Sequence, residues 1–217
     1  MPNFFLVAGP NGIGKSTNCR YFLPSNCEII DYDYIYAAHF RTLDATMQKQ
    51  ERRDLANEKA LDEIESIKQS AFETHRDVAI HSNLSPYSHE LTSEFSDKGY
   101  TTHLYFLTSY SVDVCKFRVK QRAYLGEHNI DEATIEHKFV HGLKNLETYH
   151  QLFDKTVIFD NTEGQLYRVA KFEKDRLVEF RNEIPNALEK ILGFVVDAQD
   201  DNKLKRKKGL DLSSWGV

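Results

Sequence analysis

The chain has 217 residues, 41% of them hydrophobic and 28% charged, with 10 Gly and 5 Pro; this balance excludes disordered and collagen-like chains and suits one domain with a full core. The net charge of −5 excludes binding nucleic acid by overall charge. Three widely spaced cysteines, Cys19, Cys27 and Cys115, exclude a disulfide framework or CxxC-type zinc site and fit a reducing cytoplasm. No apolar run nears 18 residues and no basic leader precedes the first one, so neither secretion nor membrane spanning is expected.

In chain order, residues 4–8 are apolar throughout rather than alternating, which predicts a strand covered on both faces. A helix is expected over 15–23, stopped by Pro24, and then a short strand over 28–31. A long helical region spans 43–72, with Leu61, Ile64, Ile67 and Ala71 on one face. A strand over 78–81 leads to Ser85-Pro86, an N-cap with proline in first position, and a helix buried through Tyr87, Leu91 and Phe95. A strand over 104–107 precedes a helix over 112–125 that turns Cys115 and Val119 inward, carries Arg118 and Arg122 on one face and ends at Gly126. Asp131 caps a helix with an Ile135, Phe139, Leu143, Leu146 stripe, and a strand over 156–159 follows.

This alternation predicts an α/β, doubly wound domain over residues 1–195 with a mostly parallel five-stranded sheet, right-handed crossovers and a site at the strands' C-terminal edge. A last strand near 166–171 adds antiparallel, and a polar, flexible tail is expected over 196–217. Within the tail, the basic run 203–208 reads as solvated rather than as a phosphate contact.

Gly9-Pro10-Asn11-Gly12-Ile13-Gly14-Lys15-Ser16 satisfies GxxxxGK[ST] between a buried strand and a helix, the context this Walker A phosphate loop requires. Its glycines let backbone N–H groups curl around phosphate oxygens while the helix offers its positive end. Lys15 supplies a charge at the β/γ bridge of ATP, and Ser16, with Thr17 beside it, is the expected Mg²⁺ ligand. The pattern predicts nucleoside triphosphate binding and leaves the phosphoryl acceptor open. Asp31 and Asp33 follow the second strand at the same edge; an extended segment would send both to one side, where one could accept a hydroxyl proton and the other orient it or hold a magnesium water.

The ordered set of motifs resembles the zeta-toxin family of P-loop kinases over most of residues 3–165. The matching blocks are Phe5 to Thr17, Ile30-Asp-Tyr-Asp-Tyr-Ile35, Gly126-Glu-His128 after an arginine-bearing helix, Lys144-Asn145-Leu146 and Phe159-Asp-Asn-Thr162. The resemblance implies a P-loop kinase fold with a helical lid, and ATP with Mg²⁺ held by Lys15 and Ser16. It further implies Asp33 as the base that activates the acceptor hydroxyl and lid arginines at Arg118 and Arg122, the latter the better match. It also implies a small-molecule acceptor such as a UDP-N-acetylhexosamine, and a protein antitoxin as partner.

Two places depart from the family pattern. Where the family has a glutamate that contacts the acceptor, this chain has Ile80-His81-Ser82-Asn83, so His81 and Asn83 become the substrate-binding candidates with Asp31. Where paired lid arginines are usual, His137-Lys138-Phe139 stands, and Lys138 keeps one charge. The alternative reading is a partner-regulated P-loop ATPase or a nucleotide-binding module without turnover, although no LSGGQ-like segment is present. A polynucleotide kinase, which shares the P-loop and base, is the less favoured third.

Overall fold

The computed structural model describes residues 1–124, 130–181 and 184–212, with side chains described through 202. Gly126, His128 and the expected end of the helix at Leu125 lie outside the described residues.

Strand β1 (Asn3–Ala8) is buried from Phe4 onward, as its unbroken apolar run requires: Phe4, Leu6 and Ala8 face one core, Phe5 and Val7 the other. The phosphate loop leads from it into α1 (Lys15–Phe22), and β2 (Glu28–Ile30) completes the first βαβ unit. The helical region expected over 43–72 is α3 (Lys49–Thr74), and a helix with no counterpart in the expectation, α2 (Tyr32–Thr42), precedes it. Then follow β3 (Val78–Ser82), α4 (Tyr87–Asp97), β4 (Thr101–Thr108), α5 (Val112–Tyr124), α6 (Glu132–Tyr149) and β5 (Lys155–Asp160). The chain closes with β6 (Tyr167–Glu173), β7 (Arg176–Phe180), α7 (Asn186–Ile191) and α8 (Gly193–Leu212).

The strands form one sheet in the order β2-β3-β1-β4-β5-β6-β7, so it has seven strands rather than five. Neighbours from β2 to β5 run parallel, and β6 and β7 add antiparallel at one edge. The missed β7 is short and mixed in character, and it pairs only because the turn after β6 returns the chain beside it. One core cluster joins the sheet to α3, α4, α7 and α8, and the second joins it to α1 and α5, so helices cover both faces. Helix α6 serves both, placing Leu146 in the first cluster and Ile135 and Phe139 in the second.

Several expected faces are displaced. Leu61 is exposed, and α3 packs through Ala56, Ala60 and Ala71, small residues that let two helices and the sheet approach closely. Tyr87 is exposed too; α4 is buried through Ser88, Leu91, Thr92 and Phe95, and the Ser85 N–H donates to the Ser88 hydroxyl where a Ser85 side-chain cap was expected. Helix α8 runs from Gly193 to Leu212, so the boundary placed at 195/196 falls inside a helix. Among the described residues, no helix is long and apolar enough to cross a membrane.

Candidate active site

Because β1, β2 and β3 run parallel, their C-terminal ends lie at one edge: Ala8 pairs with Ser82, and Ile30 with Ile80. The segments leaving these ends converge on a cavity of about 680 Å³, within the range of small-molecule sites. The phosphate loop lines it with Asn11, Gly12, Gly14, Lys15, Ser16 and Thr17. Asp31 and Asp33 enter from the β2–α2 junction, His81 and Asn83 from the end of β3, and Arg122 from α5.

The loop's shape depends on close packing. Gly9 has φ +140°, and a Cβ there would lie 2.3 Å from the Leu107 carbonyl oxygen, so no side chain fits. Gly9 and Ile13 do not line the cavity; they build the loop from beneath, Ile13 being fully buried. Helix α1 begins at Lys15 with no side-chain cap and no acidic residue in its first turn, which leaves its N-terminal amides available to an anion. The Lys15 ammonium donates to the carbonyls of Gly9 (2.7 Å) and Pro10 (3.1 Å). Desolvation brings its pKa down to about 8, against the opposing attraction of Asp33 and Asp31 and with a further push from Lys138. A phosphate would restore the charge balance that this burial disturbs.

Asp31 is not the end of an extended segment. It is the N-cap of α2, and Asp33 lies in that helix's first turn, so the two reach the cavity by helix geometry and not by strand alternation. One carboxylate oxygen of Asp31 accepts from the Ser16 hydroxyl (2.9 Å) and from His81 Nδ1 (2.8 Å). Burial alone would push Asp31 up, but His81 by hydrogen bond and charge, then Ser16, then the Tyr34 N–H outweigh it and hold the carboxyl at about 2. Burial likewise pulls His81 down, and Asp31 with the neighbouring Cys19 more than offsets it, so the imidazole titrates above its ordinary value. Ser16, Asp31 and His81 therefore form one polar knot beside the phosphate loop. Ser82 is spent on Ser88 and the Leu84 N–H, whereas the Asn83 side-chain oxygen, buried, has no partner.

Two expected charges stand outside the cavity wall. Arg118 donates through one terminal nitrogen to the Thr162 carbonyl at 2.9 Å, in the turn after β5, while its other terminal nitrogen is buried without a partner; Arg122, one helical turn on, does line the cavity. Lys138 is not a lining residue but lies near enough to Lys15 to repel its charge.

Sequence reasoning missed the far wall. Tyr32, Tyr36 and Phe40 recur every four residues on α2 and stack in sequence with centroids 6.0 and 5.9 Å apart. With Ala37 they line the cavity, alongside Arg41, Lys49 and Arg53. The three cations are exposed and form no ion pair among the described residues. Helix α2 is fastened to α3 by Tyr32 to Asn57 (2.6 Å), His39 to Glu63 (2.7 Å) and Arg52, which donates to the Phe40 carbonyl and stands 4.1 Å over its ring. The four-residue aromatic spacing was the available signal, obscured because the helix was expected to begin later.

The zeta toxin family model matches residues 1–171. The chain belongs to the zeta toxin family. No curated protein matches it. Among solved structures, this family member is similar to that of the PezAT chromosomal toxin–antitoxin system of Streptococcus pneumoniae, at 16% identity and a TM-score of 0.57, over 93% of this chain and 87% of that one. The Pnkp1/Rnl/Hen1 RNA repair complex is similar over 70% of this chain and 46% of that one, at 19% identity and a TM-score of 0.53. At these identities the likeness shows the fold, and the family membership with it supports nucleotide-dependent phosphoryl transfer.

Proposed function

We propose that this chain is a cytoplasmic, Mg-ATP-dependent kinase that transfers the γ-phosphate to a hydroxyl of a small molecule, a UDP-N-acetylhexosamine. The observation that carries the reading is that Lys15 and Ser16 of the phosphate loop, Asp33 and Arg122 line the same cavity. One side of it is a phosphate cradle and the other is a wall of aromatic rings and exposed cations, which suits an acceptor with a base and phosphates of its own.

The residues fit the implied groups. Ser16 would hold Mg²⁺, which would neutralise phosphate charge, and bound ATP would supply the transferable phosphoryl group. Among the described residues no cluster of three His, Cys, Asp or Glu could hold a metal, in keeping with a Mg²⁺ that takes most ligands from phosphate and water. Asp31 draws the Ser16 hydroxyl into place. Lys15 exchanges its loop carbonyls for phosphate oxygens, Asp33 takes the proton from the acceptor hydroxyl, and Arg122 stabilises the charge spread over the phosphoryl oxygens. Arg118 supports Arg122 from one turn away. At the β3 end, Asn83 with its unpartnered oxygen and His81, whose Nδ1 holds Asp31 while its Nε2 is unpartnered, are both acceptor contacts. The family and the likeness to the PezAT structure support a protein antitoxin as partner.

The test is phosphate transfer from γ-labelled ATP to UDP-N-acetylglucosamine and, separately, to a desalted lysate metabolite pool, by the native chain, Lys15→Ala and Asp33→Asn. Label on the nucleotide sugar that both substitutions abolish is the expected result. A different labelled metabolite would replace the acceptor, and no Lys15-dependent label anywhere would favour the non-transferring nucleotide-binding module.

A further inference from the structure

The turn that follows β5, Asp160-Asn161-Thr162, lies outside the cavity wall, yet it is bonded to the phosphate loop, to the end of β4 and to α5. The Asn161 side chain is 2% exposed, and its Nδ2 donates at 2.6 Å to the carbonyl of Ile13, 148 residues away in the phosphate loop. Its backbone N–H donates to the Thr108 carbonyl at the end of β4 (2.8 Å). The Asp160 carboxylate accepts from both the N–H and the hydroxyl of Thr162 (2.9 and 2.6 Å), the Thr162 hydroxyl accepts from the Tyr110 N–H (3.1 Å), and the Thr162 carbonyl accepts from Arg118 (2.9 Å).

The bond to Ile13 matters because of what the peptide group can do. In a trans peptide the C=O of one residue and the N–H of the next point in opposite directions. The Ile13–Gly14 peptide is trans, Gly14 lines the cavity and Asn161 does not, so a carbonyl held toward Asn161 turns the Gly14 N–H toward the cavity side. Gly14 has φ +92° and, lacking a Cβ, tolerates either sign of φ, so this peptide is free to flip unless something holds it. A flipped peptide would aim a carbonyl oxygen at the phosphates. A Cβ at Gly14 would lie 2.8 Å from Asn161 Nδ2, which shows how closely the amide is seated against the loop.

We propose that Asn161 is a positioning residue for the nucleotide phosphates, acting through the Ile13 carbonyl to keep the Gly14 N–H turned into the phosphate cradle. The same turn anchors α5 through Arg118, so the phosphate loop and the helix that carries Arg122 share one support. The inference rests on the nucleotide-binding part of the proposed function, and the experiment separates the two.

Affinities of ADP, ATP and AMP are measured by competition against a fluorescent ADP analogue in Mg²⁺ buffer, for the native chain, Asn161→Asp and Asn161→Ser, with thermal midpoints as the folding control. Asn161→Asp keeps the shape and removes the donor; Asn161→Ser removes bulk and guards against a defect peculiar to the added charge. The expected result is a loss of about tenfold or more for ADP and ATP in both variants, as the cradle-competent population falls, with less than about threefold for AMP and midpoints within a few degrees of the native value. Native-like ADP binding in both variants overturns the inference. So does an equal loss for all three nucleotides, or a collapse of both midpoints, since either marks a general structural role. A native chain that binds no nucleotide overturns the proposed function itself.

Discussion

The two sides of the cavity are built on different principles. The phosphate side is a backbone device: glycines packed against neighbouring main chain, a helix start without an acidic residue, and a lysine partly stripped of water. The α2–α3 side is a side-chain device, with an aromatic ladder laid along one helix and three exposed cations contributed by two helices. A cradle of N–H groups can recognise phosphate on any nucleoside, so its geometry has to be rigid; a wall of side chains can be retuned residue by residue to a particular acceptor. On the proposed function, the contrast makes phosphate-donor binding and acceptor choice separable, with Asp33, in the first turn of α2, at their junction.

The sharpest way to separate the two sides is at that junction. Asp33→Asn is expected to lower kcat by about 10²–10⁴-fold while ATP affinity holds within about twofold; steady-state transfer combined with equilibrium nucleotide binding checks it, and a parallel loss of both would merge the two sides. Next in size, Gly9→Ala forces a Cβ against the Leu107 carbonyl and is expected to cost about 3 kcal/mol and about 6–12 °C in Tm, read by calorimetry. A native-like midpoint would mean that the loop is looser than its packing implies.

The pH response belongs to the phosphate side. The Lys15 pKa is lowered to about 8 in the free protein, and phosphate anions raise it, so the complex keeps its proton to higher pH than the free chain. Nucleotide binding therefore takes up protons above about pH 8, and affinity falls with rising pH by up to about tenfold per unit. Calorimetric titrations in buffers of different ionisation enthalpy measure that uptake directly, and pH-independent binding would refute it. The smallest effect is expected at the other wall: Arg53→Ala or Lys49→Ala should raise the acceptor KM about three- to tenfold and leave the KM for ATP alone.

What could be read without the structure is local. The phosphate loop, the five parallel strands and the β6 start follow from contiguous patterns, because an apolar run and a turn motif need only neighbouring residues to be recognised. Asp31 and Asp33 were placed at the site for the wrong geometric reason: the helix starts at Tyr32, since Asp31 supplies its N-cap and the chain has no need to stay extended. The core face of α3 was misread at Leu61 because the space between helix and sheet admits alanines and leaves the larger side chain outside.

The amino-acid sequence by itself determined the nucleotide cradle and the alternating α/β plan, since both depend on steric and hydrogen-bonding properties carried within a few residues. Only the tertiary structure decided that Arg118 braces the Thr162 turn while Arg122 lines the cavity, that His81 is tied to Asp31, and that Asn161, after the end of β5 two strands from β1, holds the Ile13 carbonyl. Those partners lie tens of residues apart, and what joins them is the order of the parallel strands, which brings separate chain segments to one edge.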